Sequence, residues 1–103
     1  MVYTVYVDFE WDPAKARANK CKHGVEFADA ATAFDDPAQL VAPDAIHTKL
    51  GEVREWLIGS SDQGVLVVVF TRRMHGRRIR IISARKASRK ERRRYEELKR
   101  ISV

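Results

Sequence analysis

Between Arg77 and Glu97 the chain changes its period, and that change restricts the folds open to it. From Arg77 to Arg85, arginines alternate with isoleucines before the apolar pair Ile81–Ile82, which is the pattern of a strand. Successive strand residues face opposite ways, so Arg78, Arg80 and Ile82 are expected on one face and Ile79, Ile81 and Ser83 on the other. The pattern breaks at Ala87–Ser88 and becomes helical. Ser88 with Glu91 three residues later is a capping box, each side chain satisfying a free N–H at the helix start. Two arginines on one strand face cost core burial, so that face is expected to meet something anionic. The charge distribution agrees. Residues 72–100 hold 14 Lys/Arg against 3 Glu, whereas the first 71 hold 6 against 11 Asp/Glu. The +6 of the chain therefore resides in its last third.

A chain of 103 residues is expected to form a single domain over 1–103 with one core. At 45% hydrophobic content it is not a disordered polyelectrolyte, although 33% of it is charged. A pI near 9.8 favours a polyanionic partner: nucleic acid, an anionic membrane or an acidic protein. The longest apolar run, Val65 to Phe70, suits a buried strand and is far short of a membrane span. With no charged-then-apolar leader and one cysteine, Cys21, the expected compartment is the cytoplasm.

Val2 to Phe9 alternates as a first strand. Asp12–Pro13 then starts a helix, as N-cap and first helical residue, and Gly24 ends it. Ala14, Ala18 and Cys21 make a small-residue stripe expected to lie close to a sheet or another helix. Phe27, Ala30, Ala31 and Phe34 indicate a second short helix, stopped by Asp35–Asp36–Pro37. Strands are expected over 39–42, 54–59, 65–71 and 77–85, with short links that suit an antiparallel meander.

The sequence has no Gly-rich phosphate loop, no metal-ligand spacing and no nucleophile elbow, so neither metal nor cofactor is expected. His23, His47 and His75 are far apart. Arginine, scattered glutamates and a histidine at a helix end remain, and these suffice for RNA cleavage. Arginine's fork binds two phosphate oxygens and stabilises charge growing at phosphorus. It is a poor acid or base, so Glu or His should share the site. Glu52 and Arg54 fall on one face if the strand begins early enough; a surface salt bridge is the other reading. His23 sits where a helix dipole favours its charged form and could transfer protons, or simply cap carbonyls. Arg85, at the strand–helix junction, could bind loop carbonyls or phosphate. Arg92-Arg93-Arg94 reads as a solvated helix face. Tyr95 and Leu98 mark the buried face, and Trp11 and Trp56 are expected in the core.

An ordered set of residues then resembles a known family. It comprises Phe9-Glu10-Trp11-Asp12, Lys15, Asn19, Lys22-His23-Gly24-Val25, Phe27 and Ala30. It continues through Gly51-Glu52-Val53-Arg54, Gly59 and the Leu66–Val69 strand to Arg80-Ile81-Ile82-Ser83-Ala84-Arg85, Ala87, Glu91-Arg92 and Tyr95. The chain resembles the BrnT family, ribonuclease toxins of bacterial type II toxin–antitoxin pairs. The resemblance implies an α+β, RelE-like fold, with an antiparallel sheet, two N-terminal helices and one C-terminal helix. It implies a metal-independent endoribonuclease that arrests growth, a cognate BrnA-type antitoxin, and contact with operator DNA only through the antitoxin complex. It supports Arg54 and Arg85 as catalytic residues, with Glu52, His23 and Arg80 beside them; Arg72, Arg78, Arg92 and Arg93 are the expected RNA contacts. A non-enzymatic nucleic-acid-binding regulator using the same basic third, or a module whose basic helix docks an acidic partner, fits the charge pattern too.

Overall fold

The architecture is that of a computed structural model, which describes residues 7–101. Much of the expected first strand, Val2 to Tyr6, lies outside them. What is described of it is β1 (Asp8–Glu10). Helix α1 (Pro13–His23) follows, with the Asp12 carboxylate accepting from the Ala14 N–H at 2.8 Å and Gly24 closing it at φ 71°. Helix α2 (Phe27–Thr32) runs into a 3-10 turn at Ala33–Asp35. Then come β2 (Leu40–Pro43), β3 (Arg54–Ser61), β4 (Gly64–Arg73), β5 (Arg78–Lys86) and α3 (Arg89–Ile101). The domain is α+β. Among the described residues no helix is long and apolar enough to cross a membrane.

The sheet corrects the expectation of a purely antiparallel meander. Its order is β1-β5-β4-β3-β2, and β1 pairs with β5 in parallel, Glu10 opposite Arg80. Strands β2 to β5 are antiparallel neighbours, with short turns after β3 and β4 and a longer segment, 44–53, between β2 and β3; β1 arrives at the far edge because two helices intervene before β2.

One face carries the main core. Leu57, Leu66, Val68, Phe70, Ile79, Ile81 and Ala84 pack there against Val25, Phe27, Ala30 and Ala33 of the α1–α2 region. Each such fully buried aliphatic or aromatic chain contributes roughly 1.5–3 kcal/mol. Phe34 sits edge-on to both Phe9 and Phe70, at 5.1 and 5.0 Å between centroids. Gly59 lets the 3-10 turn approach the sheet, since a Cβ there would lie 2.8 Å from the Ala33 carbonyl oxygen. On the opposite face, at one end, Tyr95 of α3 closes over Ile58 and Val67.

Helix α1 presents another face than its small residues suggest. Ala14, Ala18 and Cys21 are exposed, and Asn19 is the buried residue. The Asn19 side chain donates to the carbonyls of Val25 (3.0 Å) and Ala84 (2.9 Å) and accepts from the Ala84 N–H (3.1 Å). Strand β1 stops pairing at Arg80. Beyond it Asn19 supplies the donor and acceptor that a neighbouring strand would have supplied, so these buried peptide groups are satisfied.

A bulge in β5 corrects the expected faces of that strand. Val69 pairs with Ser83 but Phe70 with Ile81, which leaves Ile82 as an extra residue. An extra residue inverts the alternation downstream. Ile79 and Ile81 before it and Ala84 after it all enter the main core. Ser83 and Arg85 therefore join Arg78 and Arg80 on the opposite face, whereas strict alternation had put Ser83 with the isoleucines.

Candidate active site

Register places the candidate side chains of that face in rows across the sheet. Glu10, Arg80, Thr71 and Arg54 form the first row; Ser83, Val69 and Trp56 the second; Arg85, Val67 and Ile58 the third. The second and third rows floor a cleft of about 510 Å³. Glu91 at the start of α3, Asp44 and His47 from the segment after β2, and His23 from the end of α1 complete its lining. Trp56, expected in the core, is half-buried and forms part of this floor.

His47 is the residue that sequence spacing missed. Its Nδ1 lies 2.9 and 3.1 Å from the two carboxylate oxygens of Asp44, three residues earlier. Asp44 is only 11% exposed in its side chain, while the imidazole is 64% exposed. A carboxylate on Nδ1 keeps the proton there and leaves Nε2 to accept one. The segment is tied to β3 through its backbone: Asp44 N–H donates to the Arg54 carbonyl (2.9 Å), and the Thr48 hydroxyl accepts from Arg54 N–H (3.1 Å). The Asp-x-x-His spacing was the available signal. His23 comes to the same cleft from the opposite edge of the sheet, past Ser83.

Arg85 and Glu91 close the α3 end. The guanidinium makes a two-pronged contact, Nη1–Oε1 2.7 Å and Nη2–Oε2 2.9 Å. Glu91 also completes the capping box, accepting from Ser88 N–H (2.8 Å) while Ser88 Oγ accepts from Glu91 N–H (3.1 Å). The Arg85 contact, with help from Ser88 and against partial burial, holds the Glu91 carboxyl down at about 2. Glu91 in turn raises the Arg85 guanidinium above its ordinary value. Arg85 thus braces the helix start through Glu91, reaches the Lys86 carbonyl at 3.4 Å, and lines the cleft.

The helix is anchored further along by Tyr95, whose hydroxyl donates to Asp36 Oδ2 in a short hydrogen bond. Asp36 also accepts from the N–H groups of Ser60 (2.7 Å) and Ala38 (2.8 Å). Burial pushes the Asp36 carboxyl up, yet these donors outweigh it and hold it below the usual range. Burial and Asp36 push the Tyr95 phenol up to about 12.

The other expected site residues divide by face. Arg54 Nε lies 2.9 Å from Glu52 Oε1, and the Arg54 side chain is 18% exposed. That contact holds the Glu52 carboxyl below its ordinary value. Arg80 Nη2 lies 3.0 Å from Glu10 Oε2, with Arg78 Nε 3.9 Å from the other oxygen of Glu10. Arg54, Arg80 and Arg78 share the cleft's face of the sheet, one row or more away. Arg72 does not. It is paired with Glu55 at 2.6 Å and stacks 5.4 Å from the Phe70 ring, on the helix-covered side. Arg92 and Arg93 are exposed on α3. Among the described residues no group of three or more His, Cys, Asp or Glu is arranged to hold a metal ion.

A family model described as ribonuclease toxin, BrnT, of type II toxin–antitoxin system matches residues 11–91. No curated protein matches the chain.

Proposed function

The chain belongs to the BrnT family of ribonuclease toxins of type II toxin–antitoxin systems, and from that premise we propose that it is an endoribonuclease whose active centre is the cleft over Trp56 and Ser83. The observation that carries this reading is the pair of histidines on one cleft, with His47 oriented by Asp44 and a guanidinium nearby. RNA can be cut by its own 2′-hydroxyl. The 2′-oxygen attacks the adjacent phosphorus, the bond to the 5′-oxygen breaks, and a 2′,3′-cyclic phosphate and a 5′-hydroxyl result. His47 Nε2 takes the 2′ proton, and His23 gives one to the departing 5′-oxygen. Arg85 stabilises charge on the non-bridging oxygens. No metal or cofactor enters this scheme.

Arg54, held by Glu52, and Arg80 support the site from the neighbouring row, and Arg78, Arg92 and Arg93 add positive potential for a polyanion. The same reading includes a RelE-like fold within a single toxin domain over 1–103, action in the cytoplasm, growth arrest, and neutralisation by a BrnA-type antitoxin that alone brings the complex to operator DNA. The test is single-turnover cleavage of RNA by the free toxin, with His47→Ala and His23→Ala beside it and growth scored on expression without antitoxin. Each variant is expected to stay folded and lose about 10²–10⁴ in rate, as loss of a general acid or base does. Cutting at the parental rate by both would remove the histidines from the chemistry.

A further inference from the structure

Resting on that reading, we propose that the row beside the cleft, Arg54–Thr71–Arg80, is a second phosphate subsite, which holds a flanking phosphate of the RNA strand and not the scissile one. The two arginines face the same side from β3 and β5 with β4 between them. Two strand spacings put their backbones roughly 9–10 Å apart, close enough for both guanidinium groups to reach one phosphate. Only Thr71, whose hydroxyl donates to the Val53 carbonyl at 2.8 Å, separates them.

Each arginine is aimed by a carboxylate that engages part of its fork. Glu52 holds Arg54 through Nε, and among the described residues its two terminal nitrogens have no hydrogen-bond partner. Glu10 holds Arg80 through Nη2. Arg80 Nε is buried and, among the described residues, has no hydrogen-bond partner. A buried guanidinium N–H without an acceptor is costly, and an outward turn of the partly exposed Arg80 side chain towards a phosphate would give it one. The row lies two residues of β3 from Trp56 and four from Ile58. The first and third rows are therefore roughly 13 Å apart along the strands. An extended RNA backbone needs more than one phosphate to cover that distance. A strand whose scissile phosphate sits over the second row thus has a neighbouring phosphate at Arg54 and Arg80. Trp56 lies between as a surface on which a base can stack.

The experiment compares RNA of two lengths, a dinucleotide with one phosphodiester and a tetranucleotide, each also made with 2′-O-methyl groups so that it binds without being cut. The subsite is expected to give the parent protein a lower KM and tighter binding for the longer strand. Arg80→Gln should abolish most of this length advantage, weakening tetranucleotide binding about tenfold and reducing the salt slope by about 0.7. Glu10→Gln should act in the opposite sense, tightening the tetranucleotide by releasing Arg80 from its competitor. A merely structural pair would not give opposite signs. Equal loss of kcat on both lengths in Arg80→Gln would make Arg80 part of the chemistry, and unchanged tetranucleotide binding in both variants would leave no subsite; either result overturns the proposal. The binding arm stands even if the chain cuts neither RNA, an outcome that would instead sink the ribonuclease assignment.

Discussion

Glu91→Gln isolates what the carboxylate charge contributes at the junction of strand and helix. Glu91 takes three hydrogen bonds, two from Arg85 and one from the Ser88 N–H. Its depression from 4.5 to about 2 corresponds to at most ~3.4 kcal/mol at 1.36 kcal/mol per unit. That ceiling needs a discount, because Arg85 is 44% exposed and water screens the pair. A separate count gives about 0.3–1 kcal/mol for a negative charge at the helix start, since a Gln oxygen can still accept from the Ser88 N–H, and roughly 0.5–1 kcal/mol for a half-exposed bidentate pair. Both routes lead to ~1–2 kcal/mol, or a Tm lower by roughly 4–15 °C for a domain of this size. A carboxylate with a depressed folded value stabilises fully above its unfolded value and loses that contribution as pH falls through the folded one. The gap between parent and variant should therefore be open above about pH 4.5 and close towards pH 2. Urea melts at pH 7, 4.5, 3 and 2 read it. A gap that persists unchanged to pH 2, or that is absent at pH 7, would show that the ionised pair does not brace α3.

Tyr95→Phe keeps the ring between Ile58 and Val67 but removes the hydroxyl from Asp36, and should cost about 1–2 kcal/mol; an unchanged urea midpoint would mean that packing alone holds α3. Asn19→Ala leaves the Ala84 peptide groups and the Val25 carbonyl without their partner, and should cost roughly 2–4 kcal/mol. Its specific readout is faster hydrogen exchange at the Ala84 amide than at that of Val68, its partner on β4; equal protection of both in the variant would deny Asn19 its role as a substitute strand.

Signals whose chemistry is local were legible in the sequence. Asp12–Pro13, Gly24 and the Ser88–Glu91 box each work through atoms a few residues apart, and all three stand where the pattern put them. The core strands were legible for the same reason, since Val65 to Phe70 can hardly be anything but buried. What failed depends on distant partners. The parallel pairing of β1 is decided by where two helices return the chain. The buried face of α1 is decided by Asn19, whose Ala84 partner is 65 residues away, so a stripe of small residues pointed to the wrong side. The cleft was half legible. Arg85 and His23 were named from their places at the ends of elements, but His47 looked isolated because spacing says nothing about a segment folding back over β3.

The bulge at Ile82 shows why no reading of period alone could assemble this site. Arg80 and Arg85 are five apart, and in an unbroken strand they would face opposite sides of the sheet, one under the helices and one in the open. One extra residue brings them to the same side, with Ser83 between them. No glycine marks the position, so nothing in the local sequence requires the irregularity. The constraints come from outside the strand. Upstream, the parallel pairing with β1 fixes Ile79 and Arg80; downstream, Asn19 takes both peptide groups of Ala84 and Ala84 enters the core. Ile79, Ile81 and Ala84 must all point inward, and their separations are two and three residues. A regular strand meets the first separation but not the second, and a single inserted residue meets both. The demand of the core on one face of β5 thus sets the arrangement of arginines on the other.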